Sequence, residues 1–520
     1  MLFPAGIAVA QPQQPTIAVL VAQADSAYAR GDRARARQLY AEALTVDSTG
    51  SRAVFRLAQL EESDTRALML YRRYVVLEPN DPWGHMAEGD LLARTGHAAE
   101  GLASYARAGA LAPGERDVAM GRARLLAAAD RPSDAARELV AWTALHPDDG
   151  EAWDLLGRSY MRSRRPNAAA AAFSNASQKN HAGSESRLTA ARAASSAAIT
   201  PEVSTTGDSD GNRTSRFGGA VDFMVADGMR LGIGVRRKVV GTDIEEVQGT
   251  GAEAGLVAAP ADGMQLTLRG GATSFAIPTN PMPQQPGPPQ GGGPPFGTAP
   301  GGRESWTAFE FDARLRARQS MSGASVDGRV EHASFSYSPL LITNHATRTE
   351  ARLALEVPVA TLRLRGAGRF GMVHAVDEVA NRRTGFEGAL LLPLGGGRVQ
   401  PSVQYREAGY QHPTLSGYFA PRRAATAEGA LYFETGDDGR LSIAADLAAG
   451  MQRVTAHGGA PGPWTRAWRA WTSASFALGP ARVWYVEAEA YDAPFGLEGA
   501  GTTGTWRYLS LSSGVRWALR

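Results

Sequence analysis

Pro79, Pro113 and Pro147 stand 34 residues apart, and His181 occupies the next step. A period of that length is a unit of supersecondary structure, so the first part of the chain is restricted to a stacked array. The same helix-pair pattern surrounds each proline. In the last copy Trp153, Leu156, Gly157 and Tyr160 mark one helix, and Ala169, Phe173 and Ala176 mark a second. Steps back of 34 residues reach Ala135, Leu139 and Trp142, then Gly101, Tyr105 and Ala108, then Ala67, Tyr71 and Tyr74; a step of 31 reaches Ala36, Tyr40 and Ala43. Small residues recur where paired helices approach closely, and large ones where a side chain fills the neighbouring pair. Aromatics at such positions are read as packing.

This pattern resembles the tetratricopeptide repeat, in about five copies within residues 17–199, one of them shortened by three residues. The helical stretch Ser184 to Ala198 serves as the C-terminal cap that an open stack needs. The resemblance implies an α-solenoid whose concave surface binds peptides, helices or other proteins.

After Pro201 the apolar period changes from 3.6 to 2. Thr307, Phe309, Phe311, Ala313, Leu315 and Ala317 share one face of a strand, while Glu310, Asp312, Arg314, Arg316 and Arg318 share the other. Leu362 to Met372, Leu441 to Met451 and the last segment, with Leu509, Leu511, Val515, Trp517 and Leu519 on one face, repeat this division. Alternation fits a soluble sandwich with its apolar face inside, or a membrane barrel with that face outside. Connection length separates them. Short connections are expected at 226–228, 260–263, 320–328, 357–358, 393–397, 436–439 and 479–481. Longer ones are expected between them, at 207–216, 241–251, 278–303, 338–346, 373–383, 411–421, 453–465 and 492–505. Fifteen connections make about sixteen strands, and short connections alternating with generally longer ones, with an even strand number, are the habit of outer-membrane barrels. An Arg facing lipid at mid-membrane costs about 2–4 kcal/mol, so the charged faces must turn to a polar lumen. The expected fold class is α+β multidomain: a solenoid of about five repeats over residues 17–199, then a transmembrane antiparallel β-barrel of about 16 strands over 200–520.

Charge and composition exclude several functions. The chain carries 54 basic and 52 acidic residues, and residues 1–200 hold 23 against 22, so there is no basic tract for nucleic acid. Lys179 and Lys238 are its only lysines and neither precedes Ser or Thr, which removes a P-loop. Cysteine is absent, excluding thiolate metal sites and thiol nucleophiles. No apolar run reaches the length of a transmembrane helix. Residues 1–16 read as a signal-peptide remnant and leader, because Ala8-Val9-Ala10 before Gln11 has the small-x-small form of a cleavage site.

Motifs for chemistry are sparse. Asp208, Asp210 and Asn212 alternate like calcium ligands, but Arg213 and Gly219 stand where that loop needs Gly and Glu, so a strand connection is expected. Gly232-Ile233-Gly234 lies in a strand pattern with no following helix, and no HExxH occurs. No enzyme, cofactor or metal site is expected. The pore-lining candidates are Glu310, Asp312, Arg314, Arg316, Arg318, Arg348, Glu350, Arg352, Glu356, Glu487 and Glu489. Trp306, Tyr432, Tyr485 and Tyr491 on the same face are candidates to stack on sugar rings. Mixed charge suits a hydrated, roughly neutral polymer. Trp464, Trp468, Trp471, Trp484, Trp506 and Trp517 are candidates for interfacial girdles. Pro278 to Gly302, mostly Pro, Gly and Gln, reads as an external loop or a gate at the barrel mouth.

A repeat array followed by such a barrel is similar to the outer-membrane exporters of bacterial exopolysaccharides, and the C-terminal part resembles the cellulose synthase operon protein C family. Gly417-Tyr418-Phe419-Ala420-Pro421 is similar to that family's Tyr-Phe-Ser-Pro signature, with Ala420 in place of Ser, and Tyr337-Ser338-Pro339 is a weaker echo. The resemblance implies an outer-membrane location with periplasmic repeats that recruit periplasmic or inner-membrane synthase proteins, and a lumen that conducts an exopolysaccharide chain. The rival reading is an outer-membrane scaffold or anchor with protein partners and a plugged barrel.

Overall fold

The computed structural model describes residues 16–278, 303–319, 323–376, 378–435, 440–479, 481–492 and 507–519. The leader, the Pro/Gly-rich connection and Trp506 lie outside the described residues. Eleven helices come first: α1 (Ile17–Ala29), α2 (Arg33–Val46), α3 (Ser51–Leu60), α4 (Asp64–Leu77), α5 (Pro82–Arg94), α6 (Ala98–Leu111), α7 (Arg116–Ala128), α8 (Pro132–Leu145), α9 (Gly150–Arg162), α10 (Pro166–Gln178) and α11 (Ser184–Ser195). They form five helix pairs and one closing helix. The shortened copy is explained by α3, which has 10 residues where α1, α5, α7 and α9 have 13.

The chain divides into two compact units, Met1–Ser159 with Gln178–His181, and Tyr160–Ser177 with Ala182–Arg520. In the first, Leu20, Ala24, Ala36, Leu39 and Tyr40 begin the core, and later pairs add Ala67, Tyr71 and Leu91, then Tyr105, Ala108 and Leu125. A Cβ on Gly101 would lie 2.9 Å from the Gly89 carbonyl oxygen, so the contact between α5 and α6 requires a residue without one. The aromatic knobs keep their polar tips satisfied: the Tyr40 hydroxyl donates to Asp25 at 2.5 Å, Tyr74 to Asp81 at 2.6 Å, and Trp142 Nε1 to Asp149 at 3.1 Å. Tyr105 donates to Asp90 with the same 15-residue offset that joins Tyr40 to Asp25. Burial, then the neighbouring carboxylate, pushes both of those hydroxyls far above the usual tyrosine value.

In the second unit Ala169 and Phe173 of α10 pack with Leu188 and Ala191 of α11. The Asp227 carboxylate accepts from the Asn167 and Ala168 backbone N–H groups at 3.0 and 3.1 Å, satisfying donors that the first turn of α10 leaves unpaired. Sixteen antiparallel strands follow: β1 (Ala198–Asp208), β2 (Arg213–Ala226), β3 (Met229–Gly241), β4 (Glu246–Ala258), β5 (Met264–Pro278), β6 (Arg303–Arg318), β7 (Ser325–Ser334), β8 (Thr347–Val359), β9 (Leu362–His374), β10 (Asn381–Leu391), β11 (Val399–Tyr410), β12 (Arg423–Glu434), β13 (Leu441–Thr455), β14 (Thr465–Gly479), β15 (Arg482–Tyr491) and β16 (Tyr508–Ala518). Each pairs with its sequence neighbours, and β1 pairs with β16 to close the barrel.

The number of strands matches the expectation, but three of the connections expected to be long are shorter, the one between β9 and β10 spanning only 375–380. The connections at 209–212 and 242–245 are four residues each, shorter than the spans expected there. Polar residues such as Thr214, Ser215, Gln248 and Thr250 continue the ladders beyond the apolar segment, so hydropathy marks the edge of the apolar band rather than the end of pairing. The turn after β1 is held by Asp208, whose carboxylate accepts from the N–H groups of Asp210 and Asn212, both at 3.0 Å, and from Asn212 Nδ2 at 2.9 Å.

The wall is apolar outside. Phe309 (70% exposed), Val235, Val403, Phe217 and Phe386 point away from the lumen. Trp464 and Trp468 stand outward near the long-connection end, while Trp484 and Trp517 do so near the short-turn end. Trp471 departs from the girdle expectation: it faces inward, donating to Glu487 at 2.5 Å, because it shares parity with Arg469 rather than with Trp468. No described helix is long and apolar enough to cross a membrane.

Candidate functional site: the barrel lumen

Alternation sends every second side chain of each strand into the lumen, and there the charges pair across strands. On β6 the Glu310 carboxylate pairs with Arg236 of β3 and accepts from the Ser334 hydroxyl at 2.9 Å. Asp312 pairs with Arg329 at 2.5 Å, Arg314 with Asp327 at 2.5 Å, and Arg316 with the same Asp327 at 3.3 Å. Arg318 is exposed at the short-turn end, where its backbone N–H donates to Gly263 at 2.9 Å. On β8, Arg348 pairs with Glu331, Glu350 with Arg383 at 2.8 Å, Arg352 with Glu387 at 3.2 Å, and Glu356 with Arg363 and Arg365 at 2.5 and 2.6 Å. Apart from Arg236, which reaches in from β3, these charged residues lie on an arc of neighbouring strands, β6–β10.

The remaining candidates lie elsewhere on the wall. Tyr432 donates to Glu434 at 2.6 Å, Tyr485 donates to Glu202 at 3.1 Å, and Tyr491 stacks on Tyr508 with ring centroids 4.8 Å apart. Glu487 accepts from Trp471, and Glu489 is the next inward residue on β15, opposite Trp471 in register. A second charged arc lies beyond the candidates named from the sequence: Glu428 receives Arg406 and, at 3.2 Å, Arg469, while Arg469 also reaches Asp446 at 2.7 Å. The same alternation, carried strand by strand through β11–β14, identifies those residues.

Toward the long-connection end the lining turns apolar. The segment between β7 and β8, expected as an irregular loop, contains a short helix, α12 (Pro339–Thr343), with Ser338 accepting from the Leu341 N–H and Pro339 at its first position. Ser-Pro before an apolar run is the signal that marks it. Two adjacent side chains of α12 enter two different clusters. Ile342 joins Val240, Val247, Phe275, Ile277 and Ala308, whereas Leu341 joins Phe335, Ala346, Val373, Tyr410 and Tyr418. Trp306 packs on the first cluster, with its ring 5.6 Å from Phe275 and 4.8 Å from His345, so protein rings already cover it.

The two short motifs of the sequence meet here. Tyr418 stacks on Phe335 at 5.5 Å and receives a 3.0 Å hydrogen bond from Asn381, and Asn344 donates to the Ser416 carbonyl at 3.1 Å. Gly417 has φ +94°, and a Cβ there would lie 2.6 Å from Leu340. Beside this apolar filling a polar cavity of about 300 Å³ remains, lined by Asp208, Arg216, Lys238, Ser336, Tyr337 and Tyr508 among others.

No known family's profile matches the sequence, and no curated protein matches it. Among solved structures the chain is similar to MamA (16% identity, 32% of this chain and 94% of that one, TM-score 0.30). It is also similar to YrrB, a TPR protein with an unusual peptide-binding site (17%, 32% and 86%, TM-score 0.29). CdiB from Acinetobacter baumannii is similar at 10% identity, over 62% of this chain and 60% of that one, with TM-score 0.35. The fold rests on the elements described above rather than on these likenesses.

Proposed function

We propose that this chain is an outer-membrane exporter whose lumen conducts a hydrated, roughly neutral exopolysaccharide while its repeats, in the periplasm, hold protein partners of the synthesising machinery. The observation that carries this reading is the lining. Over β6–β14 both signs of charge neutralise one another pair by pair, while Glu434, Glu487 and Glu202 are met by neutral Tyr and Trp donors, which leaves a polar hydrogen-bonding lining of mixed sign rather than a single-sign ring that would select ions. The girdle tryptophans and the apolar outer face support placement in a bilayer, and the short turns support a periplasmic position for that end. The convergence of Tyr418 and the Tyr337-Ser338-Pro339 segment at the mouth supports the likeness to the cellulose synthase operon protein C family, and a cellulose-like polymer follows from that likeness. In this reading the protein is a passive conduit and no catalytic residue is proposed.

A second reading, a plugged anchor, is favoured by α12 and its two apolar clusters. Conductance of the purified full chain in a planar bilayer separates the two. An exporter gives discrete openings that linear oligosaccharides block, and deleting the gene abolishes secreted polymer. A plugged anchor gives no openings, and its deletion leaves the polymer unchanged.

A further inference from the structure

The outer wall near the long-connection end carries a cleft of about 410 Å³ between β10, β11 and β12. Arg382, Arg422 and Arg423 line it, with Glu407 as the lone carboxylate among the lining residues. That carboxylate is already engaged by Arg423 and by the Tyr405 hydroxyl at 2.7 Å, while the exposed Arg382 and Arg422 supply the excess positive charge. The cleft exists because Gly409 has no side chain. A Cβ there would strike the Arg422 carbonyl oxygen, so only glycine lets the segment entering β12 close onto β11 and set its arginines beside Arg382. The wall turns apolar from the cleft downward, with Phe386 lining the cleft itself, its ring 5.7 Å from Tyr405, and Leu390 outward beyond it on β10.

We propose that this cleft binds the phosphorylated headgroup of a lipid in the outer leaflet, with its acyl chains along the apolar wall beneath. Planar guanidinium groups match phosphate oxygens in bidentate fashion, and cations directly above an apolar face suit a molecule that carries phosphate on hydrocarbon better than a soluble anion. The inference takes from the proposed function only its membrane orientation.

The test uses the purified full chain in detergent and native mass spectrometry, with bisphosphorylated lipid A, its dephosphorylated counterpart and inorganic phosphate as probes. The phosphorylated lipid is expected to bind about tenfold more tightly than the dephosphorylated one, and the double variant Arg382→Gln/Arg422→Gln to lose about that factor. Both substitutions spare the Arg423–Glu407 pair. Arg237→Gln, at an outward residue of β3 that donates to Gln248, is the control and is expected to bind like the unsubstituted chain. Equal binding of the two lipids, no loss in the double variant, an equal loss in the control, or inorganic phosphate binding as tightly as the lipid would each overturn the assignment. Conductance is read separately, so a conducting pore without lipid selectivity removes the cleft alone, and lipid selectivity without conductance removes only the exporter reading.

Discussion

Glu350 illustrates what a lumen charge costs and returns. It is 8% exposed and pairs with Arg383, itself 5% exposed, at 2.8 Å. Removing one partner of a pair this buried strands the other, so Glu350→Gln is expected to lower barrel stability by about 3 kcal/mol. Asp243→Asn, at an exposed pair with Arg213, is expected to cost no more than about 0.5 kcal/mol, and urea unfolding of the two variants reads the contrast. In the repeats, burial raises the Asp149 carboxyl, but hydrogen bonds from Arg116, the Ala152 N–H and Trp142 outweigh it and hold the group below the ordinary carboxylate value. With the folded value depressed, its stabilisation is complete above the unfolded value of about 3.9 and is lost as pH falls through the folded one. Asp149→Asn is therefore expected to be less stable at neutral pH, with the gap to the unsubstituted chain closing in acid as followed by circular dichroism of the helices. Which side of the wall each charge takes was legible from alternation alone. Its partner was not, because Arg383 meets Glu350 across β9, and that juxtaposition depends on the register of two intervening ladders.

Elements were legible to differing degrees. The repeat period located five helix pairs, since a 34-residue step also recurs in the backbone: Gly96, Asp130 and Arg164 close their first helices with φ of +86°, +59° and +59°. Arg164 holds that left-handed conformation at a cost that glycine avoids, so Arg164→Gly is expected to raise stability by about 0.5–1 kcal/mol, measured by thermal unfolding. α12 escaped the periodicity argument because five residues are too few to show one, although Ser338-Pro339 announces its start. Its burial makes a prediction about the mouth. Replacing both Leu341 and Ile342 with Ser empties a side chain from each apolar cluster, and larger single-channel openings are expected than for the unsubstituted chain, with unchanged conductance counting against α12 as the constriction.

At the scale of the whole molecule, closure of the barrel decides what surrounds it. An apolar face of this extent is stable only in hydrocarbon or against another layer, and pairing of β1 with β16 leaves no sheet edge to satisfy in lipid. Sixteen strands also enclose a lumen wide enough to hold the charged arcs together with α12. The sequence has no cysteine, so single cysteines report cleanly on which way the wall faces. The direct measurement is reactivity toward a charged, membrane-impermeant thiol reagent along β6 in liposomes, with substitutions made one at a time from Phe309→Cys to Arg316→Cys. Labelling at 310, 312, 314 and 316 with protection at 309, 311, 313 and 315 is the result expected of a hydrated lumen behind a lipid-facing wall. The opposite parity, or uniform reactivity at all eight positions, would contradict it.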